Sequence, residues 1–248
     1  VYCHPHNSVH VENCRFDGAT SWAFQLQGSA ISGDPDYQRF IGCWFGPHNS
    51  RAIITHSGKD THPRPEVRNC VFEARAGVQI RSDVVIDGCY FTNARDAESN
   101  GSFITAIDSA PWTAVIRNCI FAPKHDAMPH VDLRLPNIQV TVENCQFYHQ
   151  GFGSMLALGK GPANVSTVNN CLFYVRADDA SQAMFLEVEN GQNTVTNCRF
   201  HGRAPRDRGV VMCRNQEGAL ADDAMLQIDN CTFNAISADF SDDQLVIQ

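Results

Sequence analysis

The stretch Val142-Glu143-Asn144-Cys145-Gln146-Phe147 decides the fold. It runs apolar, polar, Asn, Cys, any residue, Phe, and the same phrase returns along the chain. Its copies end at Phe16, Phe45, Phe72, Phe91, Phe121, Phe147, Phe173, Phe200 and Phe233. Three residues before the cysteines stand Val11, Phe40, Val67, Ile86, Ile116, Val142, Val168, Val195 and Ile228, all apolar and all but Phe40 β-branched. The next residue is polar in every copy except Ile41. Such alternation describes a half-buried strand rather than a helix. The cysteines follow one another at steps of 29, 27, 19, 30, 26, 26, 27 and 33 residues. A unit repeated along the whole chain means a solenoid, in which each turn buries its apolar face only against its neighbours.

The residue before each cysteine is Asn at positions 13, 69, 118, 144, 170, 197 and 230, and Gly at 42 and 88. Asn and Gly most readily take the left-handed backbone conformation, so each marks a sharp bend between two strands. Beyond the bend, Cys and Phe are two apart and point the same way, read here as inward. The sequence therefore predicts a cysteine ladder and a phenylalanine column inside, with an asparagine ladder whose amides hydrogen-bond from coil to coil.

Such a turn has room for three short strands and three bends. Residues 9 to 233 resemble the right-handed parallel β-helix of the pectate-lyase-like superfamily, whose second and third strands meet at an Asn-rich bend. The resemblance implies an all-β, single-stranded right-handed parallel β-helix of about nine coils, three short strands per coil, forming one domain over 1–248. At ~4.8 Å per coil the rod is about 40 Å long. The superfamily holds lyases, hydrolases, phage tailspikes and adhesins, so the resemblance reaches the fold and stops short of function. The repeat begins within ten residues of Val1 and neither end shows an amphipathic capping helix. The expectation is a segment of a longer chain, lacking its caps.

Net charge is −8 and lysine occurs only at 59, 124 and 160, so no basic stripe exists for a nucleic-acid backbone. No apolar run approaches the ~18 residues of a membrane span. Nine of the 11 cysteines belong to the repeat. Parallel positions ~4.8 Å apart suit a disulfide poorly, since its Cβ atoms need about 3.8 Å. No Cys-x-x-Cys pair exists to build a zinc knuckle, and no resident metal site is expected. The sequons at Asn100, Asn164 and Asn230 occur at about the chance rate, and Asn230 lies in the bend ladder.

Each coil offers three outer faces. On the second strand Arg68, Asp87, Arg117 and Glu143 alternate in sign, as a solvated ladder does. On the third, Trp44, Val71, Tyr90 and Ile120 form an apolar stripe that calls for a cover, either a loop or missing domain or a second copy of the chain. Beside it, Tyr148, Tyr174 and His201 fall on consecutive coils, where aromatic rings can hold sugars or simply pack under a loop. On the first strand, Gln25, Gln27, Gln79, Arg81, Asp132, Arg134, Glu187 and Arg214 point outward, with His56 of uncertain register. Amides, carboxylates and guanidinium groups suit hydroxyl and carboxylate recognition. In carbohydrate-active members of the resembled superfamily this face carries the polysaccharide groove.

Elimination beside a uronate carboxylate needs a base and a charge neutraliser. Lys160 and Arg134, on adjacent coils, resemble the alginate and chondroitin lyase arrangement; Arg214 and His56 are further candidate bases. The Asn-rich signature of those lyases is absent. Hydrolysis needs facing carboxylates, and Asp132 and Glu187 lie two coils apart, nearly ~10 Å, at the long end of inverting geometry. The pairs Asp178-Asp179, Asp222-Asp223 and Asp242-Asp243 fall in loops, where Ca²⁺ is the one candidate cofactor. His4, His6 and His10 beside Cys3, and His125 and His130 beside Asp126 and Asp132, lack standard ligand spacing, and His125 and His130, flanking a Met-Pro loop, read as solvated. Two functions follow. One is an extracellular or cell-surface carbohydrate-active β-helix that binds, and in one version cleaves, a polysaccharide along its first-strand face. The alternative is a non-catalytic structural or adhesive rod, such as a tailspike shaft or surface-protein stalk, self-associating through Trp44, Val71, Tyr90 and Ile120.

Overall fold

The computed structural model describes residues 2–3, 9–26, 38–55, 65–74, 76–92, 102–107, 111–123, 130–149, 153–175, 183–202, 211–213 and 225–235. Among these, the regular elements are all strands, arranged in three sheets of nine. The first sheet runs from Tyr2–Cys3 through Val131–Leu133, Gly153–Leu158 and Ala183–Val188 to Val211–Cys213. The second runs from Val9–Glu12 to Met225–Asp229, and the third from Arg15–Phe16 to Thr232–Ala235. Each strand pairs in parallel with its counterpart one coil away, as Val115, Thr141 and Thr167 do. The molecule is a single-stranded parallel β-helix.

The bends obey their residue chemistry. Asn13, Asn69, Asn118, Asn144, Asn170, Asn197 and Asn230 all have φ between 50° and 55°, while Gly42 and Gly88 sit at 63° and 66°. The amides then bond along the rod. Asn144 Nδ2 donates to Asn118 Oδ1 at 3.3 Å, Asn170 Nδ2 to Asn144 Oδ1 at 2.8 Å, and Asn230 Nδ2 to Asn197 Oδ1 at 2.7 Å. The ladder is interrupted where Gly42 and Gly88 carry no amide, with Asn118 Nδ2 donating to Asp87 instead, and again where Asn197 Nδ2 turns to Asn169 Oδ1, which also accepts from Thr196 Oγ1.

Inside the third sheet the repeated phenylalanines form one column. From Phe45 to Phe233 neighbouring rings stand 4.7–5.0 Å apart and within 8° of parallel. Interior members are fully buried, whereas Phe16 and Phe233 at the two ends are only partly so. The cysteines of the repeat are free thiols, seven of them buried, with Cys14 exposed. Each thiol donates to backbone carbonyls; Cys145 Sγ reaches Glu143 O at 3.3 Å and Ile116 O of the preceding coil at 3.7 Å. Burial pushes the Cys43 thiol up to about 11, so thiolate is scarce there. Asn164, one of the sequons, is buried and gives both ends of its amide to the backbone of Leu135 and Ile138, which closes it to glycosylation in the folded chain. No helix among the described residues is long and apolar enough to cross a membrane.

Candidate binding cleft

The first sheet positions the site. Gln25, Ile54, Gln79, Thr105, Asp132, Ala157 and Glu187 share one register position on successive coils. The outward polar face expected from sequence is therefore interrupted, at Ile54 and again at Ala157, both buried. Gln79 and Arg81 sit half-buried two coils below Asp132, with the Arg81 amide donating to Thr55 Oγ1 at 2.8 Å. They lie outside the cleft that forms beyond them.

That cleft encloses about 300 Å³ and is lined by Thr105, Ala106, Asp132, Arg134, Lys160 and Glu189. Three consecutive coils supply its charged residues. Arg134 follows the strand Val131–Leu133, Lys160 follows Gly153–Leu158, and Glu189 follows Ala183–Val188. Between Asp132 and Glu187 the middle coil carries the small Ala157, with Gly159 two residues on, which leaves room for the Arg134 side chain to reach across it. Gly159 has a φ of +66°, and a Cβ there would meet the Asn190 carbonyl oxygen. Arg134 grips Asp132 bidentately, Nε to Oδ1 at 2.9 Å and Nη2 to Oδ2 at 2.7 Å. Its remaining Nη1 lies 3.7 Å from both Glu187 Oε2 and Glu189 Oε1. The hydrogen bonds and surrounding carboxylates hold the guanidinium even more firmly protonated than usual. Glu187, expected on an open face, is instead 2% exposed and accepts a hydrogen bond from Ser154 Oγ at 2.6 Å. Burial raises the Glu189 carboxyl above its ordinary range; Arg134 and Lys160 pull it down, while Glu187 and Asp132 push it up.

The structure thus joins Lys160, Arg134, Asp132 and Glu187, and adds Glu189, Thr105 and Ser154. Glu189 was legible in principle. In Glu187-Val188-Glu189 the two carboxylates are two apart, and strand alternation puts both on one side. No family model matches this chain, and no curated protein matches it.

Other candidates fall elsewhere. Tyr148, Tyr174 and His201 occupy one register position of the third sheet, a different face from the cleft. Tyr174 and His201 stack on each other at 5.3 Å and 11°, so one face of each ring is engaged by the other; Tyr148 donates to Gln146 Oε1 at 2.8 Å. Trp44, Val71 and Ile120 are half-buried and Tyr90 is 38% exposed. Arg15 lies 3.8 Å over the Trp44 ring. His130 is not solvated: it is fully buried, stacks on Phe103, and places Nε2 3.1 Å from Nδ1 of His149. His56, Arg214, Gln27, His4, His6, His125, Asp126 and the three Asp-Asp pairs proposed for Ca²⁺ lie outside the described residues. Among the described residues no group of His, Cys, Asp and Glu could hold a metal ion.

Proposed function

We propose that this β-helix is a non-catalytic polysaccharide-binding rod, extracellular or at a cell surface, holding its glycan along the first-strand face over the Asp132–Arg134–Lys160–Glu189 cleft. The observation that carries the reading is Arg134 itself, lying across three coils with carboxylates at both ends. A groove of carboxylates, guanidinium, ammonium and hydroxyl groups presents donors and acceptors at the spacing of successive coils, which suits a chain of hydroxylated rings. Binding is favoured over elimination because Arg134 is already engaged by Asp132, Glu187 and Glu189 and cannot neutralise a substrate carboxylate as well. Binding is favoured over hydrolysis because the guanidinium fills the gap between Asp132 and Glu189, where a glycosidic bond and its attacking water would have to sit. The likeness to pectate-lyase-like β-helices supports the choice of face by analogy alone.

Retardation of the protein in gels containing neutral, uronate or amino polysaccharides tests the reading. Retardation by at least one polymer, lost in Asp132→Asn, is expected, with neither new reducing ends nor unsaturated product. Appearance of either product would replace binding by catalysis. The exposure of Tyr90 favours a second, compatible property, side-by-side self-association through Trp44, Val71, Tyr90 and Ile120. Light scattering that returns a clean monomer at high protein concentration removes it.

A further inference from the structure

We propose that the sugar bound in this cleft carries a protonated amino group, which docks on Glu189. The inference rests on the reading of the first-strand face as a glycan-binding surface and adds to it the charge of the ligand.

Three carboxylates, Asp132, Glu187 and Glu189, converge on Arg134, with Lys160 also lining the cleft and attracting Glu189. They are not served equally. Asp132 takes two guanidinium nitrogens, at 2.9 and 2.7 Å. Glu187 shares the third and gains the Ser154 hydroxyl at 2.6 Å. Glu189 has that same shared nitrogen at 3.7 Å and the attraction of Lys160, which together fall short of its burial, and it stands in the cleft wall with 5% of its surface exposed. A carboxylate so buried and so thinly compensated is costly as an anion. Either a proton or a ligand cation relieves it. The raised carboxyl of Glu189 is the mark of the first. An ammonium group, with three donors and a full charge, supplies the second. A uronate would bring a fourth carboxylate to a site whose cations already face three, and a neutral glycan would leave the excess charge in place.

Isothermal titration with three oligomers of equal length, made of glucosamine, N-acetylglucosamine and galacturonate, tests this near pH 6 at low salt. The glucosamine oligomer is expected to bind at least about tenfold more tightly than its acetylated counterpart, about 1.4 kcal/mol. Glu189→Gln should erase that preference. Should the variant fail to fold, the wild type still decides: raising the pH until the ligand amine is uncharged should remove the preference for the glucosamine oligomer, and a preference that persists there would overturn the assignment. Equal or tighter binding of the acetylated or galacturonate oligomer, weakened by Asp132→Asn, would overturn the amino-sugar assignment while leaving the glycan face standing. Silence from all three oligomers would overturn the assignment and count against the glycan face with it.

Discussion

The Asn-Cys-x-Phe corner and the first-strand face belong to the same coils, yet they behave oppositely. At the corner each residue meets a copy of itself above and below: Phe147 stacks between Phe121 and Phe173. On the face each residue meets something else: Asp132 lies between Thr105 and Ala157. A position that packs on its own image must suit itself, so its identity repeats. A position that meets a ligand or a unique partner is released from that demand. In a solenoid, irregularity on an otherwise regular surface is therefore where function is sought.

The strongest way to break this contrast is to interrupt the column. Phe147→Ala removes a fully buried ring with ring neighbours on both sides and is expected to cost about 3–5 kcal/mol. Phe233→Ala removes a partly buried ring stacked on Phe200 at one end of the described column and is expected to cost less. Urea unfolding of the two variants compares them directly. Equal losses would mean that the column does not gain from having neighbours on both sides.

The corner has a second component, the bend. At Asn144 a φ of 55° combines with amide bonds to Asn118 and Asn170. Asn144→Ala keeps neither advantage and is expected to lose about 1–2 kcal/mol from the left-handed conformation alone. Asn144→Gly restores the backbone freedom and loses only the amides, so the difference between the two variants separates backbone from ladder. If Gly proved as costly as Ala, the amide bonds would dominate.

His130 tests the non-repeating corner, where the third strand of one coil hands over to the first strand of the next. Burial and the neighbouring His149 hold its imidazole well below the usual histidine range, against a smaller opposing effect of the Tyr148 backbone. Below the ordinary value of about 6.5 the unfolded chain takes up a proton that the folded chain refuses, so stability falls as pH falls. The slope approaches about 1.4 kcal/mol per pH unit for one such group. Denaturation midpoints measured between neutrality and pH 5 should show this decline, and His130→Phe should flatten it. An unchanged slope in the variant would remove His130 as its source.

These regions were not equally legible in the sequence. The bends, the Phe column and the strand register followed from Asn144-Cys145-Gln146-Phe147 and its copies because self-stacking makes residue identity repeat. The cleft was legible only in pieces. Asp132, Arg134, Lys160 and Glu187 were recognised as outward or exit residues, but nothing in their spacing reveals that Ala157 and Gly159 leave Arg134 room to cross a coil. Nor does it show that Glu187 is buried under the Ser154 hydroxyl. His130 was misread because a Met-Pro neighbourhood suggests a loop, whereas its imidazole is enclosed by Phe103 and His149, residues brought together only by coiling.

The weakest effect lies on the second face. Asp87 and Arg117 are partners on adjacent coils, Nε to Oδ2 at 2.9 Å, and the Asn118 amide donates to the same carboxylate at 2.8 Å. Partial burial pushes the Asp87 carboxyl upward, but the Asn118 amide and the Arg117 guanidinium together outweigh it and hold the carboxyl below its ordinary value. A depressed carboxyl contributes stability above the ordinary value of about 3.9 and loses it as the pH falls through the native one. Arg117 remains substantially open to water, so Arg117→Ala is expected to cost no more than about 0.2–1 kcal/mol at neutral pH. High salt should shrink that deficit, because exposed charges are screened. A loss comparable to that of Phe147→Ala would mean that side-chain pairs on the outer faces, rather than the self-stacking interior, hold one coil to the next.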